Sequence, residues 1–173
     1  MALSPQADLA TEPRWSGSLA RSVRIPSACA TWSRHTWLEV RTAGRASGLT
    51  HRGVATIVKH WVSYGASVDG FDGHNYYGRF SRFPAGRFAD HVTPFRKRVR
   101  LRVAGVMPFL QHSRGLALDG QPVEAVGAGY NAQLLSGLLR GRYGFRGVVV
   151  SDWGITRDCE LGVPHGRSTA NAR

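Results

Sequence analysis

The chain has 173 residues, enough for one ordinary domain and too few for two large ones. Apolar residues make up 42% and charged residues 20%, which fits a packed core and excludes a disordered or collagen-like chain. The net charge of +12 would ordinarily indicate nucleic acid or an anionic surface, yet the basic residues are 21 Arg and only two Lys, Lys59 and Lys97.

A surface shaped to neutralise phosphate usually mixes Lys with Arg, so the excess calls for another explanation. No run approaches the roughly 18–20 apolar residues of a membrane span. The first residues, Met1 to Trp15, lack the basic-then-apolar layout of a secretory signal. Cys29 and Cys159 form neither a disulfide framework nor a metal-ligand spacing.

In chain order, residues 16–50 come first as a segment apart. They hold five Arg against one acid, Glu39, with no period of 2 or 3.6. A loop-rich insertion and a basic arm both fit that composition. Both sit poorly beside Trp32 and Trp37. No internal repeat is found. Val54 to Val58 is a short apolar run rich in β-branched residues and predicts a buried strand. Val103 to Met107, closed by Pro108, and Gly147 to Val150 predict two more. Between them, Pro122 to Leu139 reads as a helix. Asp119 or Gly120 could cap it, and Val123, Val126, Tyr130, Leu134 and Leu138 recur at helical spacing. Gly127, Gly129 and Gly137 weaken that helix, so packing must hold it. Buried strands alternating with a helix predict an α/β parallel sheet.

The sharpest motif is Gly147-Val-Val-Val-Ser-Asp-Trp153. A carboxylate directly after a buried parallel strand lies at the carboxyl end of the sheet, where barrel and open-sheet enzymes place their chemistry. Standing alone, Asp152 could equally cap a following helix. Val58-Lys59-His60-Trp61 also ends an apolar strand and sets a cation and an imidazole on the same rim. With Asp8-Leu-Ala-Thr-Glu-Pro-Arg-Trp15, Ala104-Gly-Val-Met-Pro108 and Tyr143-Gly-Phe-Arg-Gly-Val-Val-Val-Ser-Asp-Trp153, these motifs stand in one order. Taken together they resemble family 3 glycoside hydrolases, and within them the bacterial β-glucosidases and exo-β-glucan glucohydrolases. The likeness covers residues 3–15, 47–96, 103–108 and 115–158.

The resemblance implies an incomplete (β/α)-barrel, TIM-barrel-like, over residues 1–158, with 159–173 as a tail outside the family. It implies retaining hydrolysis of β-glucosides or β-glucan oligosaccharides. By the family motif Asp152 is the catalytic nucleophile, Lys59 and His60 hold sugar hydroxyls, and Trp153 lines the sugar subsite. The assignment is physically sensible: an ammonium gives hydroxyls charge-assisted hydrogen bonds and favours an ionised carboxylate nearby. Retention needs a second carboxyl roughly 5–5.5 Å from the first. In the family that residue lies well beyond the nucleophile, and Glu160 is a poor substitute because its surroundings leave the pattern. The expectation is a truncated chain without its acid/base and without measurable turnover. No metal or organic cofactor is implied, since two carboxyl groups and water suffice. The loop Trp61 to Gly70 matches the glucosidase branch rather than the N-acetylglucosaminidases, whose loop carries a different, His-bearing sequence. Asp69, Asp72 and His74 are expected in turns and surface contacts. Family members are often exported; this chain's start says nothing of its address.

Departures from the family fall in blocks. After Trp15 the family expects a sugar-binding arginine and then a Gly-Thr-Phe-Gly-Glu-Asp-Pro-like run. Permissible codons for Ser16 to Pro26, read one base earlier, give Arg-Val-Ala-Gly-Thr-Phe-Gly-Glu-Asp-Pro. Phe109 to Arg114 can conceal Ser-Tyr-Ser-Ile-Leu-Glu, and Arg98 to Leu101 can conceal Ala-Phe-Ala-Ser. Residues 16–50, 97–102 and 109–114 therefore read as text shifted out of frame in a GC-rich gene, whose shifted codons are rich in Arg. Together with 159–173 these segments hold 12 of the 23 basic residues and two of the 11 acids, so they carry +10 of the +12.

Two other functional readings compete. The first is a basic nucleic-acid-binding protein using the Arg-rich segments, with Arg98, Arg100 and Arg102 alternating on one face of a strand and Trp residues stacking bases. No recognition motif accompanies it, and no nucleic-acid partner is expected. The second is a noncatalytic pseudo-enzyme that kept part of a sugar site.

Overall fold

The structure, a computed structural model, describes residues 1–3, 6–15, 53–62 and 64–153. The segment 16–50, the tail 159–173, both cysteines and Glu160 lie outside the described residues.

The centre is a three-stranded parallel sheet of β1 (Ile57–Trp61), β3 (Gly105–Pro108) and β7 (Val148–Val149), in that order. The N-terminal segment extends it beyond β1 through parallel bridges of Ala2 to Thr56 and Gln6 to Lys59. The Ala7 N–H donates to the Lys59 carbonyl at 2.6 Å. Sheet order therefore follows chain order, as in an arc of a (β/α)-barrel. The apolar run that signals the first strand begins at Val54, but the strand itself lies three residues later and includes Lys59 and His60. Polar side chains end a hydrophobic pattern; they do not end a strand whose backbone is paired on both sides. At Gly105 the neighbouring strand comes so close that a Cβ would collide with Ile57 Cδ1.

Between β1 and β3 runs α1 (Phe88–Arg100). Phe88, Val92, Phe95 and Val99 recur at helical spacing and are all buried. Asp90 stands in the first turn and Lys97, Arg98 and Arg100 in the last, each sign matching the helix dipole. This corrects the strand reading of the Arg98–Arg102 run: Arg98 and Arg100 are helical, and Arg98 is fully buried while Arg100 is exposed. The three arginines do not form one charged face.

The helix expected over Pro122–Leu139 is shorter and later. It covers Gln133–Arg142 in π geometry and buries Leu134, Leu138 and Leu139. Asn131 sets its start, because its Oδ1 accepts the Leu134 N–H at 2.9 Å. Asp119 and Gly120 cap nothing. With φ of 52° and 78° they form the tight turn of a hairpin, β5 (Ala117–Leu118) and β6 (Gln121–Pro122). Two residues with positive φ are what an Asp-Gly hairpin turn demands. Val123 and Val126 are buried all the same, from the turns before the helix.

A second parallel pair, β2 (Phe80–Arg82) with β4 (His112–Arg114), flanks the sheet. Gln111 ties these layers together, donating from Nε2 to Ser67 Oγ at 2.8 Å and to the Gly78 carbonyl at 2.7 Å. Most of the core lies between sheet and helices. There Trp61 is fully buried, edge-on to Phe95 at 5.4 Å and to Tyr143 at 6.3 Å. No helix among the described residues is long and apolar enough to cross a membrane.

Candidate active site

Because β1, β3 and β7 are parallel, their carboxyl ends share one rim, and the four residues assigned to the site by the resemblance fall there. Lys59 and His60 lie in the carboxyl half of β1, before Trp61; Asp152 and Trp153 follow β7. β3 separates the two strands, which sets them about 10 Å apart at two inter-strand spacings.

His60 sits at an irregularity. Lys59 pairs with Met107 and Trp61 with Pro108, so His60 has no partner on β3 and the register shifts across it. Such bulges re-aim side chains and recur beside active sites. The imidazole is buried edge-on to Tyr64 at 5.0 Å and to Phe109 at 5.2 Å. Lys59 is half-buried beside it.

The environment of His60 contains a residue that motif reading left without a role. Asp8, on the N-terminal strand segment, is 3% exposed. Its Oδ2 lies 3.0 Å from His60 Nδ1, and both carboxylate oxygens accept the His60 backbone N–H, at 3.2 and 3.3 Å. The sequence held a signal for it: Asp8 stands in an apolar stretch seven residues before a buried tryptophan, a place where a carboxylate needs a partner.

Around these groups a small aromatic and apolar cluster of Ala10, Trp15, Tyr64, Phe109 and Leu110 covers the rim. Trp15 packs edge-on to Tyr64 at 4.7 Å. Thr11 donates its N–H to the Gly65 carbonyl at 2.9 Å, and a Cβ at Gly65 would strike the Leu9 carbonyl oxygen. The N-terminal segment and the loop after β1 are thereby locked together above His60. Arg14 is spent locally: Nε meets Glu12 Oε1 at 2.8 Å, and this hydrogen bond holds the Glu12 carboxyl down at about 2.

Asp152 is 5% exposed. Its Oδ1 accepts the Trp153 N–H at 2.9 Å, while Oδ2 is buried and has no hydrogen-bond partner among the described residues. An unsatisfied buried carboxylate oxygen is costly in a folded protein, and such groups concentrate where chemistry is done. Trp153 projects from the rim, 81% exposed. Asp69 and Asp72 occupy turns: Asp69 has φ 55°, and Asp72 Oδ1 accepts the His74 N–H at 3.0 Å and lies 2.7 Å from its Nδ1.

A parallel α/β arc with a cation, an imidazole and a buried carboxylate on its carboxyl rim defines a barrel-type enzyme domain. Residues 1–168 match the family description "Glycosyl hydrolase family 3 N terminal domain", and the chain belongs to that family. It is 45% identical over 159 residues to the "Periplasmic beta-glucosidase/beta-xylosidase" of Dickeya chrysanthemi, covering 92% of this chain and 24% of that protein. It is 34% identical over 168 residues to "Beta-glucosidase C" of Emericella nidulans, covering 93% of this chain and 25% of that one. Among solved structures, a β-glucosidase from Listeria innocua in complex with glucose superposes with a TM-score of 0.74. At 23% identity, over 92% of this chain and 20% of that one, this shows the fold, an incomplete (β/α)-barrel. The chain spans about a quarter of the length of the curated relatives it matches.

Proposed function

We propose that this domain carries the nucleophile and sugar-binding groups of a retaining β-glycosidase acting on β-glucosides or β-glucan oligosaccharides. The observation that carries the reading is Asp152, a buried carboxylate with one oxygen unpartnered, placed where a barrel presents its catalytic groups. In the reaction, Asp152 attacks the anomeric carbon as the bond to the glycosidic oxygen breaks, and the leaving oxygen takes a proton from an acid. Water, deprotonated by that same residue, then releases the sugar. No residue of this chain is assigned to the acid/base role.

Lys59 and His60 hold hydroxyls of the sugar bound over Asp152, and Trp153 lines that subsite. The carbohydrate relatives named above and the glucose-bound structure support this choice of substrate. A glucose titration followed by NMR tests it. Resonances of Lys59, His60 and Trp153 are expected to move together, and Lys59→Met to weaken binding about tenfold or more, as loss of a charge-assisted hydrogen bond does. Glucose that moves none of these signals would reject the reading.

A further inference from the structure

Resting on that reading, we infer that Asp8 is a positioning residue that makes His60 a hydrogen-bond acceptor toward the sugar. A neutral imidazole carries one N–H, and the partner of one ring nitrogen decides which nitrogen keeps it. Here Nδ1 lies 3.0 Å from Asp8 Oδ2. An ionised carboxylate only accepts, so the proton belongs on Nδ1. The same carboxylate takes the His60 backbone N–H on both oxygens, so it fixes the residue as well as the ring. Tyr64 and Phe109 close on the imidazole as edge contacts. Nε2 is the one polar atom of the side chain left over. No hydrogen bond to it is found among the described residues, and the side chain is 11% exposed.

The consequence is a division of labour on the rim. The Lys59 ammonium can only donate, and His60 Nε2 can only accept. A hydroxyl facing His60 must therefore supply a proton to the bond, which a fluorine or a methyl ether at that position cannot do. Asp8 is held for this task by contacts on either side: before it Gln6 bridges Lys59 and the Ala7 N–H donates to the Lys59 carbonyl, and after it the Thr11 N–H donates to the Gly65 carbonyl. The arrangement is that of a ligand-binding histidine oriented by a carboxylate behind it.

Long-range proton–nitrogen correlation NMR of the 15N-labelled chain at pH 7.5 tests this without any variant. The expected spectrum has His60 protonated at Nδ1 and bare at Nε2, the reverse of the form that free histidine prefers. A His60 protonated at Nε2, singly or as imidazolium, would overturn the proposal. In folded Asp8→Ala the proton is expected to move to Nε2 and glucose to bind about tenfold or more weakly. An unchanged tautomer and affinity in that variant would also overturn it. If wild-type His60 carries the Nδ1 proton but glucose leaves its Nε2 unmoved, the sugar reading fails while the hold of Asp8 on the ring stands.

Discussion

Asp152→Asn is expected to stabilise the chain while removing its capacity to accept a glucosyl group. In the wild type one carboxylate oxygen is satisfied by the Trp153 N–H and the other is buried without a partner among the described residues. Leaving a buried polar group unsatisfied costs about 1–3 kcal/mol, and more when it is charged. Asparagine keeps the shape and an oxygen for the Trp153 N–H, and it removes the charge. The urea midpoint should rise by the part of the penalty that belongs to the charge, since the amide NH2 takes the unpartnered oxygen's place. Stability gained at the expense of reaction is the usual mark of a functional site. Glucosyl uptake from an activated donor should fall on the order of 1,000-fold or more, because an amide cannot replace a carboxylate nucleophile. A variant that is less stable and equally reactive would make Asp152 a structural residue.

The second large effect is acid destabilisation through His91. This residue faces inward from α1, 3% exposed, with Nε2 buried and unpartnered among the described residues and the ring 4.9 Å from Phe83. Burial pushes its pKa down from 6.5 to about 4, while Asp8 and Asp90 pull it upward against that trend. Between these values the unfolded chain binds a proton that the folded chain refuses. Stability is therefore complete above pH 6.5 and declines as pH falls toward 4, by on the order of 3 kcal/mol in all. Urea unfolding at pH 7.5 and pH 4.5 should show the fall, and His91→Leu should flatten it. An equal fall in His91→Leu would assign the acid sensitivity to the carboxylates instead.

The sequence made the parallel α/β arc legible because three apolar runs, each too short for a helix, stand where β1, β3 and β7 form. The rim position of Lys59, His60, Asp152 and Trp153 was legible too, since polar residues at or just past the end of a buried strand have few places to go but the rim; their roles there are what we propose. Element ends were less legible. Strand β1 continues across Lys59 and His60 because Lys59 is paired on both flanks and Trp61 pairs again with Pro108, which a one-dimensional pattern does not show. The Asp119-Gly120 pair carries both a helix-cap and a hairpin-turn signal, and the positive φ of both residues decides for the turn. α1 was hidden by its last turn. Read from Phe95 onward, the arginines alternate like a strand; read from Phe88, the buried Phe88, Val92, Phe95 and Val99 reveal the helix.

Asp8 could not be assigned from spacing, since it lies 52 residues from the histidine it holds. For residues 97–102 we propose that the printed text is a shifted frame, and Arg98 gives that idea physical content. The concealed reading places Ala there, a small residue suited to a buried helix face, in place of a wholly buried guanidinium. Sequencing the coding DNA across codons 10–175 and translating all three frames decides it: continuous family text in a shifted frame supports the proposal, and its absence rejects it.

The central claim, that Asp152 is the nucleophile of a glucosyl-binding site, is tested most directly by covalent capture. A 2-deoxy-2-fluoro-β-glucosyl fluoride needs no acid to release its leaving group and forms a long-lived ester with a retaining nucleophile. Incubation with the chain, followed by peptide mass spectrometry, should give a single glucosylated peptide with the label on Asp152, and no label in Asp152→Asn. A wild-type chain that binds glucose but stays unlabelled, or that carries the label on another carboxylate, would contradict the assignment.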